Sequence, residues 1–407
     1  MPEVVVIGAG VAGLACAQRL AQAGVPTLVL EARDRIGGRV RTFRPADGGP
    51  VLELGAQVVH GDRNPAHTVL GPLPAAPRPS AAYVVSGRVA RPMGLLARGA
   101  NPPWALEGRL AGYDGPGGLS VGGWLAASGA TPAEAATGRE WLRQTWAADP
   151  DLLDAAGVAA AVRGDGGGRG EFTVPGGMDL LPRTLAEGLD VRTGVPVRRV
   201  ETAAGDGVRV VTGDGELTAD RVVLAVPPAV VEGGLLTVDG LGPDKTAAVR
   251  TLAPGDGFCA VLTLAGPAPE TASVFDADGV GGFVSCRQGR PEVLVVAKSG
   301  AAAYVRGAAG SAAHLAVFLS AALPWTRGVE VVGVETADWA ADPYSGGAFC
   351  APGPGSDRAA RDWARPLGGR LFFAGEAAVT GRALPWLQGA YADGRRAAQE
   401  VLEAGKQ

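Results

Sequence analysis

The chain has 407 residues, of which 47% are hydrophobic and 19% charged, with a net charge of −4. This length suits two domains or one composite domain, and the balance excludes wholesale disorder. A slightly acidic chain offers nothing to nucleic acid or an anionic membrane surface, and no apolar run approaches the ~18 residues of a membrane span.

The cationic side chains are almost all arginine, with Lys245, Lys298 and Lys406 as the lysines, and glycine is abundant at 64 residues. That bias fits a GC-rich bacterial genome. Cys16, Cys259, Cys286 and Cys350 are scattered without a CxxC pair. The pattern argues against a disulfide framework or a metal site and fits a reducing cytoplasm. The apolar N-terminus lacks the basic start of a signal peptide, and its glycines divide it into strand, turn and helix.

The first element, "EVVVIGAGVAGLACAQRL", is a β-branched strand, then Gly8, Gly10 and Gly13, then an alanine-rich helix. This is GxGxxG in the context that gives it meaning. Gly8 permits the tight turn, Gly10 lets backbone approach a pyrophosphate, and Gly13 lets the helix lie close on the strand. The helix start supplies free N–H groups and a positive dipole end. The next strand, "VPTLVLE", ends in Glu31, a carboxylate placed to accept bonds from ribose hydroxyls. Its charge disfavours a 2′-phosphate.

"EARDRIGGRVRT" follows, with Gly37 and Gly38 before Arg39 and Arg41. This stretch resembles the GGR segment of the flavin amine oxidase family, which includes monoamine and polyamine oxidases. The resemblance implies FAD as cofactor, with Arg39 over its phosphates and Arg33 and Gly38 in the same binding turn.

The resemblance continues along the chain. "VLELGAQVVHG" is similar to a polyamine-oxidase stretch beside the flavin ring, which implies backbone approach at Gly55 and Ala56 and places His60 at the substrate cavity. "VPVRRVETAAGDGVRVVTGDGELTADRVVLAVPP" reads as alternating strands with GDG turns, and Val197 is the backbone candidate for adenine. "GRLFFAGEAA" implies a cofactor contact at Glu376 after Gly375. The helix opening at Leu387 would cap the flavin's pyrimidine end.

The expected fold is α/β: a discontinuous Rossmann-like FAD-binding domain with an interleaved α+β substrate domain, amine oxidase-like. The expected boundaries are 1–70, 193–245 and 365–407 for the FAD-binding part, and 71–192 and 246–364 for the substrate part. Residues 75–170 match no recognised segment.

Near the C-terminus, "DPYSGGAFCAPG" resembles the monoamine oxidase loop that brings an aromatic residue to the flavin. Motif by motif, Phe349 and Trp386 take the two wall positions, where π faces guide an amine and exclude water. A cysteine in this loop binds FAD covalently in some relatives. The matching residue here is Ala348, and Cys350 would point elsewhere, so the flavin is expected to be non-covalent.

The family's strand corresponding to "GDGFCAVLTL" carries a lysine that holds a water near the flavin. Cys259, with Ala260 as the one-residue alternative, stands there instead. Lys298, ending "VLVVAKSG", reads as a surface strand end. His60 suits amine deprotonation, and a structural histidine is an equal alternative.

The resulting expectation is oxidation of a small-molecule amine to an imine by hydride transfer, hydrolysis to a carbonyl, and reoxidation by O2 or another acceptor. A homodimer is compatible with the sequence, and no metal, nucleic acid or membrane partner is expected. Without a lysine at Cys259, a flavin-dependent desaturase or dehydrogenase slow toward oxygen is the alternative, and a flavin-binding protein without catalysis is a third reading. An amino-acid oxidase would need a cavity arginine, with Arg78, Arg88 and Arg91 as candidates.

Overall fold

The computed structural model describes residues 2–93, 102–202 and 207–406. One layer is a parallel sheet whose strands run in the order Leu371–Phe373, Arg221–Leu224, Val4–Ile7, Thr27–Leu30, Asp190–Arg192. Every side chain of Val4–Ile7 is buried, as a strand covered on both faces requires. Val4 and Val6 pack under the helices Val11–Gln22, Leu180–Ala186 and Leu387–Ala404. Val5 and Ile7 face Trp363 and a four-stranded sheet in the order Glu216–Ala219, Val208–Thr212, Val197–Thr202, Thr237–Val238. The two-residue alternation of a strand thus holds two separate cores.

Just before residue 193, Asp190–Arg192 pairs with Thr27–Leu30, and Leu181 and Leu185 pack in the core beneath the first helix. The alternating strands expected from Val195 onward are present, and the turn through 203–206 lies outside the described residues.

The second layer is a seven-stranded sheet in the order Val331–Asp338, Gly257–Leu264, Glu292–Lys298, Phe283–Cys286, Ala272–Asp276, Ala81–Ser86, Val89–Pro92. Its pairs are antiparallel except where Ala272–Asp276 runs alongside Ala81–Ser86. Phe258, Ala260 and Leu262 face the helices Gly300–Ala309 and Ala312–Ala322, while Cys259 and Val261 face the opposite way.

Among its described residues, the stretch that the sequence left unplaced contains the helices Ala105–Leu110, Val121–Ala127, Pro132–Trp146 and Ala155–Arg163, around Leu110, Leu142, Trp146 and Leu153. The longest starts on a capping box: Thr131 accepts from the Glu134 N–H and Glu134 reaches back to the Thr131 N–H, with Pro132 inside the first turn.

Lys245 lies in the core of the first layer. Its Nζ donates to the carbonyls of Asp362 (3.0 Å) and Trp363 (2.6 Å) and sits 3.4 Å from the centre of the Phe373 ring. Burial is the largest influence on it and pulls its pKa from 10.5 to about 7. Between those values the unfolded chain holds a proton that the folded chain has released, so this group's contribution to stability rises with pH. Urea unfolding across that window should show the wild type gaining on a Lys245→Met variant as pH increases. A constant difference would rule this out.

Candidate active site

A single cavity of about 1910 Å³ runs along the C-terminal ends of the parallel strands and under the seven-stranded sheet. That volume exceeds the ~300–1,000 Å³ of an ordinary small-ligand pocket and leaves room for a large cofactor with a substrate beside it. Parallel sheets bind ligands at this edge because the strand ends and helix starts converge there.

At one end lies the glycine turn. A Cβ on Gly13 would overlap the Gly8 carbonyl, so a glycine is required for the helix to lie on the turn. A Cβ on Gly10 would meet no protein atom within 4 Å, although Gly10 lines the cavity. The space it would fill is therefore reserved for something other than protein. The helix Val11–Gln22 has no side-chain cap, so its first N–H groups open on the same space. The Gly37 N–H donates to the Ala9 carbonyl at 2.8 Å, locking the GGR turn against the first one.

Glu31 is 4% exposed, with its Oε2 accepting from the Ala9 N–H (2.7 Å) and its Oε1 from the Arg33 N–H (3.0 Å). The Arg33 guanidinium turns toward the late loop, to Asp342 Oδ1 (2.7 Å) and Ser345 Oγ (2.9 Å). Arg39 Nη1 donates to Glu376 Oε1 (2.9 Å) and the Ala348 carbonyl (2.7 Å), and Glu376 Oε2 accepts from the Cys350 N–H. Arg39 and Glu376, more than 300 residues apart, thus form one wall. Gly38, Gly375, Val197 and Leu387 line the cavity too, Val197 beside a break in its strand's register and Leu387 at the uncapped start of the last helix. Gly375 and Leu387 sit where the chain re-enters this edge. Gly55 and Ala56 also line it, yet the missing Cβ of Gly55 points at the Arg39 carbonyl, so backbone packing explains that glycine.

The residues fit a flavin dinucleotide: uncapped helix N–H groups and an open glycine for phosphates, a buried strand-end carboxylate for ribose, and an apolar chamber beyond.

That chamber holds the sequence's wall candidates. Trp386 and Phe349 both line it. The His60 ring lies 4.7 Å from Trp386 at 40°, with Nδ1 3.7 Å from Glu171 Oε1. Burial lowers the His60 pKa, partly opposed by Glu171. Cys259 also lines the chamber, with its thiol pushed up to about 11 by burial and Gln57 Nε2 at 3.8 Å. Such a thiol is neither nucleophile nor base near neutrality. Cys350 Sγ is buried and bonds to the Leu252 carbonyl at 3.0 Å, outside the cavity lining.

Lys298 corrects the sequence reading. It lines the chamber, with Nζ 5.5 Å from the centre of the Phe349 ring. In the ladder Lys298 pairs with Gly257 and Val296 with Cys259, so Lys298 and Cys259 project on the same face of adjacent strands. Gln144 holds the Lys298 backbone from both sides, accepting its N–H and donating to its carbonyl, each at 2.9 Å. Burial lowers its pKa, and Lys298 makes no ion pair among the described residues.

Two further lining residues, Glu107 and Trp141, come from the unplaced helices. No spacing in the sequence ties them to the flavin segments. Arg78, Arg88 and Arg91 are exposed and do not line the cavity, so the arginine an amino-acid oxidase would need is not supplied by them.

The sequence matches the family described as flavin containing amine oxidoreductase over residues 11–106 and 134–402. AofH of Mycobacterium tuberculosis, a monoamine oxidase by name, is 32% identical over 56% of this chain and 57% of its own. The lysine-specific histone demethylase 1 homolog 3 of Oryza sativa subsp. indica is 29% identical over 98% of this chain and 54% of its own. The chain thus spans about half the length of these curated relatives. Among solved structures, putrescine oxidase bound to putrescine superposes with a TM-score of 0.80, at 21% identity and 99% coverage of both chains. Cyclohexylamine oxidase from Brevibacterium oxydans IH-35A gives 0.76, at 20% identity and full coverage of both. At such identities these two establish the fold, and no helix among the described residues is long and apolar enough to cross a membrane. Together with the glycine turn, the Arg39–Glu376 wall and the aromatic chamber, the match establishes that this chain belongs to the flavin-containing amine oxidoreductase family.

Proposed function

We propose that this chain is an FAD-dependent amine oxidase that converts a small amine to an imine, with O2 as electron acceptor. The observation that carries the reading is one continuous cavity, lined by the dinucleotide turn at one end and by His60, Lys298, Phe349 and Trp386 at the other. Bound there, the flavin supplies a hydride acceptor. Gly10 and the first helix hold its phosphates and Glu31 its ribose. The parallel layer forms the FAD-binding part and the seven-stranded sheet with the helices before it the substrate part.

The chain's own residues prepare the amine. Phe349 and Trp386 present apolar faces that strip water from an entering ammonium and favour the neutral amine. His60, with its pKa lowered by burial, is unprotonated at neutral pH and accepts that proton, and Glu171 stabilises the imidazolium that results. Lys298 serves in place of the family's strand lysine, reaching from the neighbouring strand to the face where Cys259 stands. Ala348 in the late loop and the inward-turned Cys350 favour non-covalent flavin.

The primary test is anaerobic bleaching of the purified holoprotein by a panel of amines, followed by admission of air. Bleaching with rapid recovery and peroxide supports the proposal; failure of every amine to bleach the flavin refutes it. His60→Gln should lower kcat/KM on the order of a hundredfold and abolish an acidic limb lying below the usual imidazole value of about 6.5. A variant that keeps that limb would clear His60 of the role.

A further inference from the structure

The chamber lysine depends on a side chain outside the chamber. Lys298 is the last residue of the strand Glu292–Lys298, and the neighbouring strand on one side stops short of it. Phe283–Cys286 pairs no further than Phe283 opposite Val296, because the chain turns away at Gly282, where φ is 65°. A Cβ there would meet the Val296 carbonyl at 2.5 Å and Gln144 Oε1 at 2.9 Å, so the turn is built around a glycine. On the other side Gly257 pairs with Lys298 but sends its own carbonyl away, to the Trp339 N–H at 3.0 Å. The Lys298 main-chain N–H and carbonyl therefore point into the gap that Phe283–Cys286 leaves.

Gln144 fills that gap. It lies on the helix Pro132–Trp146, is 0% exposed and takes no part in the cavity lining. Its Oε1 accepts from the Lys298 N–H and its Nε2 donates to the Lys298 carbonyl, each at 2.9 Å, the pair of bonds that a residue of an adjacent strand would exchange. Nε2 also donates to Glu140 Oε1 at 2.8 Å, and Glu140, buried itself, pairs with Arg143. That third bond decides which way round the amide stands. One residue beyond Lys298 the chain bends at Ser299, with φ of 55°, whose N–H donates to the Asp256 carbonyl at 3.0 Å. Lys298 is thus the last residue held extended, and the extended backbone keeps its side chain on the face of Cys259. Without the amide, two buried main-chain groups lose their partners, and the strand end turns to find water and carries the side chain with it.

We propose that Gln144 is a positioning residue: its amide stands in for the missing strand and holds Lys298 in the chamber, where the lysine assists reoxidation of the flavin. The proposal rests on the amine oxidase reading and adds to it the group that keeps its lysine in place. Gln144 acts only through Lys298 and takes part in no covalent step.

The experiment uses the flavin-loaded protein labelled with 13C at lysine Cε. The chain's lysines are Lys245, Lys298 and Lys406, so the titrating signal that disappears in Lys298→Met belongs to Lys298. Burial holds that group below the ordinary lysine value against the opposing pull of Cys259 and Glu107, and Lys298 in turn acts on His60. In Gln144→Met the Lys298 signal should titrate at least about one pH unit higher, toward the ordinary value of about 10.4. Stopped-flow measurement should show reoxidation in air slowed on the order of tenfold more than anaerobic reduction by amine, as displacement of an assisting group implies. The double variant should reoxidise within about twofold of Lys298→Met, since the amide then has no lysine to position. An unchanged Lys298 titration in Gln144→Met overturns the proposal, as does slowing that multiplies with that of Lys298→Met. Gln144→Glu keeps the reach and the acceptor for the Lys298 N–H, and it replaces Gln144→Met if that variant does not fold, with changes expected in the same direction. If Lys298→Met reoxidises like the wild type, the oxygen role of the lysine fails, and the titration then decides by itself whether Gln144 holds Lys298 in place.

Discussion

Replacing Lys298 with methionine is expected to slow the return of flavin colour in air on the order of a hundredfold, with a much smaller effect on anaerobic reduction by amine. Lys298 is the only lysine lining the cavity among the described residues. It stands beside Phe349, on the face it shares with Cys259, and burial shifts it toward the neutral amine. Its amino N–H groups can hold a water by donating to it, which neither the Cys259 thiol nor a thioether does well. Stability gives a second readout. Methionine matches the stem of lysine and removes a buried amino group that no carboxylate contacts, so the Tm should hold or rise. Stopped-flow measurement of the two half-reactions separates the outcomes. If Lys298→Met reoxidises like the wild type, the lysine has no part in oxygen chemistry, and the desaturase reading regains its ground.

The second large effect is a contrast between two glycines of one turn. Gly13→Val should abolish soluble folded protein or cost more than about 3 kcal/mol, because its Cβ would be driven into the Gly8 carbonyl and into contact with Ala225. Gly10→Ala should fold with a Tm close to wild type when flavin is absent from both, since a cap Gly and Ala differ by about 1 kcal/mol and the new methyl meets no protein atom. Its methyl would instead enter the cavity space proposed for the pyrophosphate, so the protein should purify colourless and take up added FAD at least tenfold more weakly. The measurements are flavin absorbance per protein and calorimetric Tm of the stripped proteins. A yellow Gly10→Ala protein with wild-type affinity would show that the space at Gly10 is not the phosphate site.

The two kinds of residue behind these predictions were not equally legible. The glycine turn, Glu31, Arg39, Glu376, Phe349 and Trp386 were all read from local motifs, and the structure gathers them on one cavity. Each belongs to a short segment in which strand, turn and helix follow one another directly, so residue type and spacing carry the geometry. Lys298 was misplaced because its position depends on pairing. "VLVVAKSG" shows a strand ending in a lysine, but only the register with Gly257–Leu264 puts that lysine on the face of Cys259. Glu107 and Trp141 had no signal at all, since their helices belong to a stretch without motifs.

By itself, then, the sequence determined the α/β class, the glycine turn and the aromatic residues that line the chamber, since these depend on backbone conformations and periodicities set within a few residues. Only the tertiary structure decided which cation and which carboxylate enter the chamber. Lys298 arrives across a strand pair and Glu107 from a separate helical layer, and such contacts between distant segments are fixed by packing and register, which no local pattern specifies.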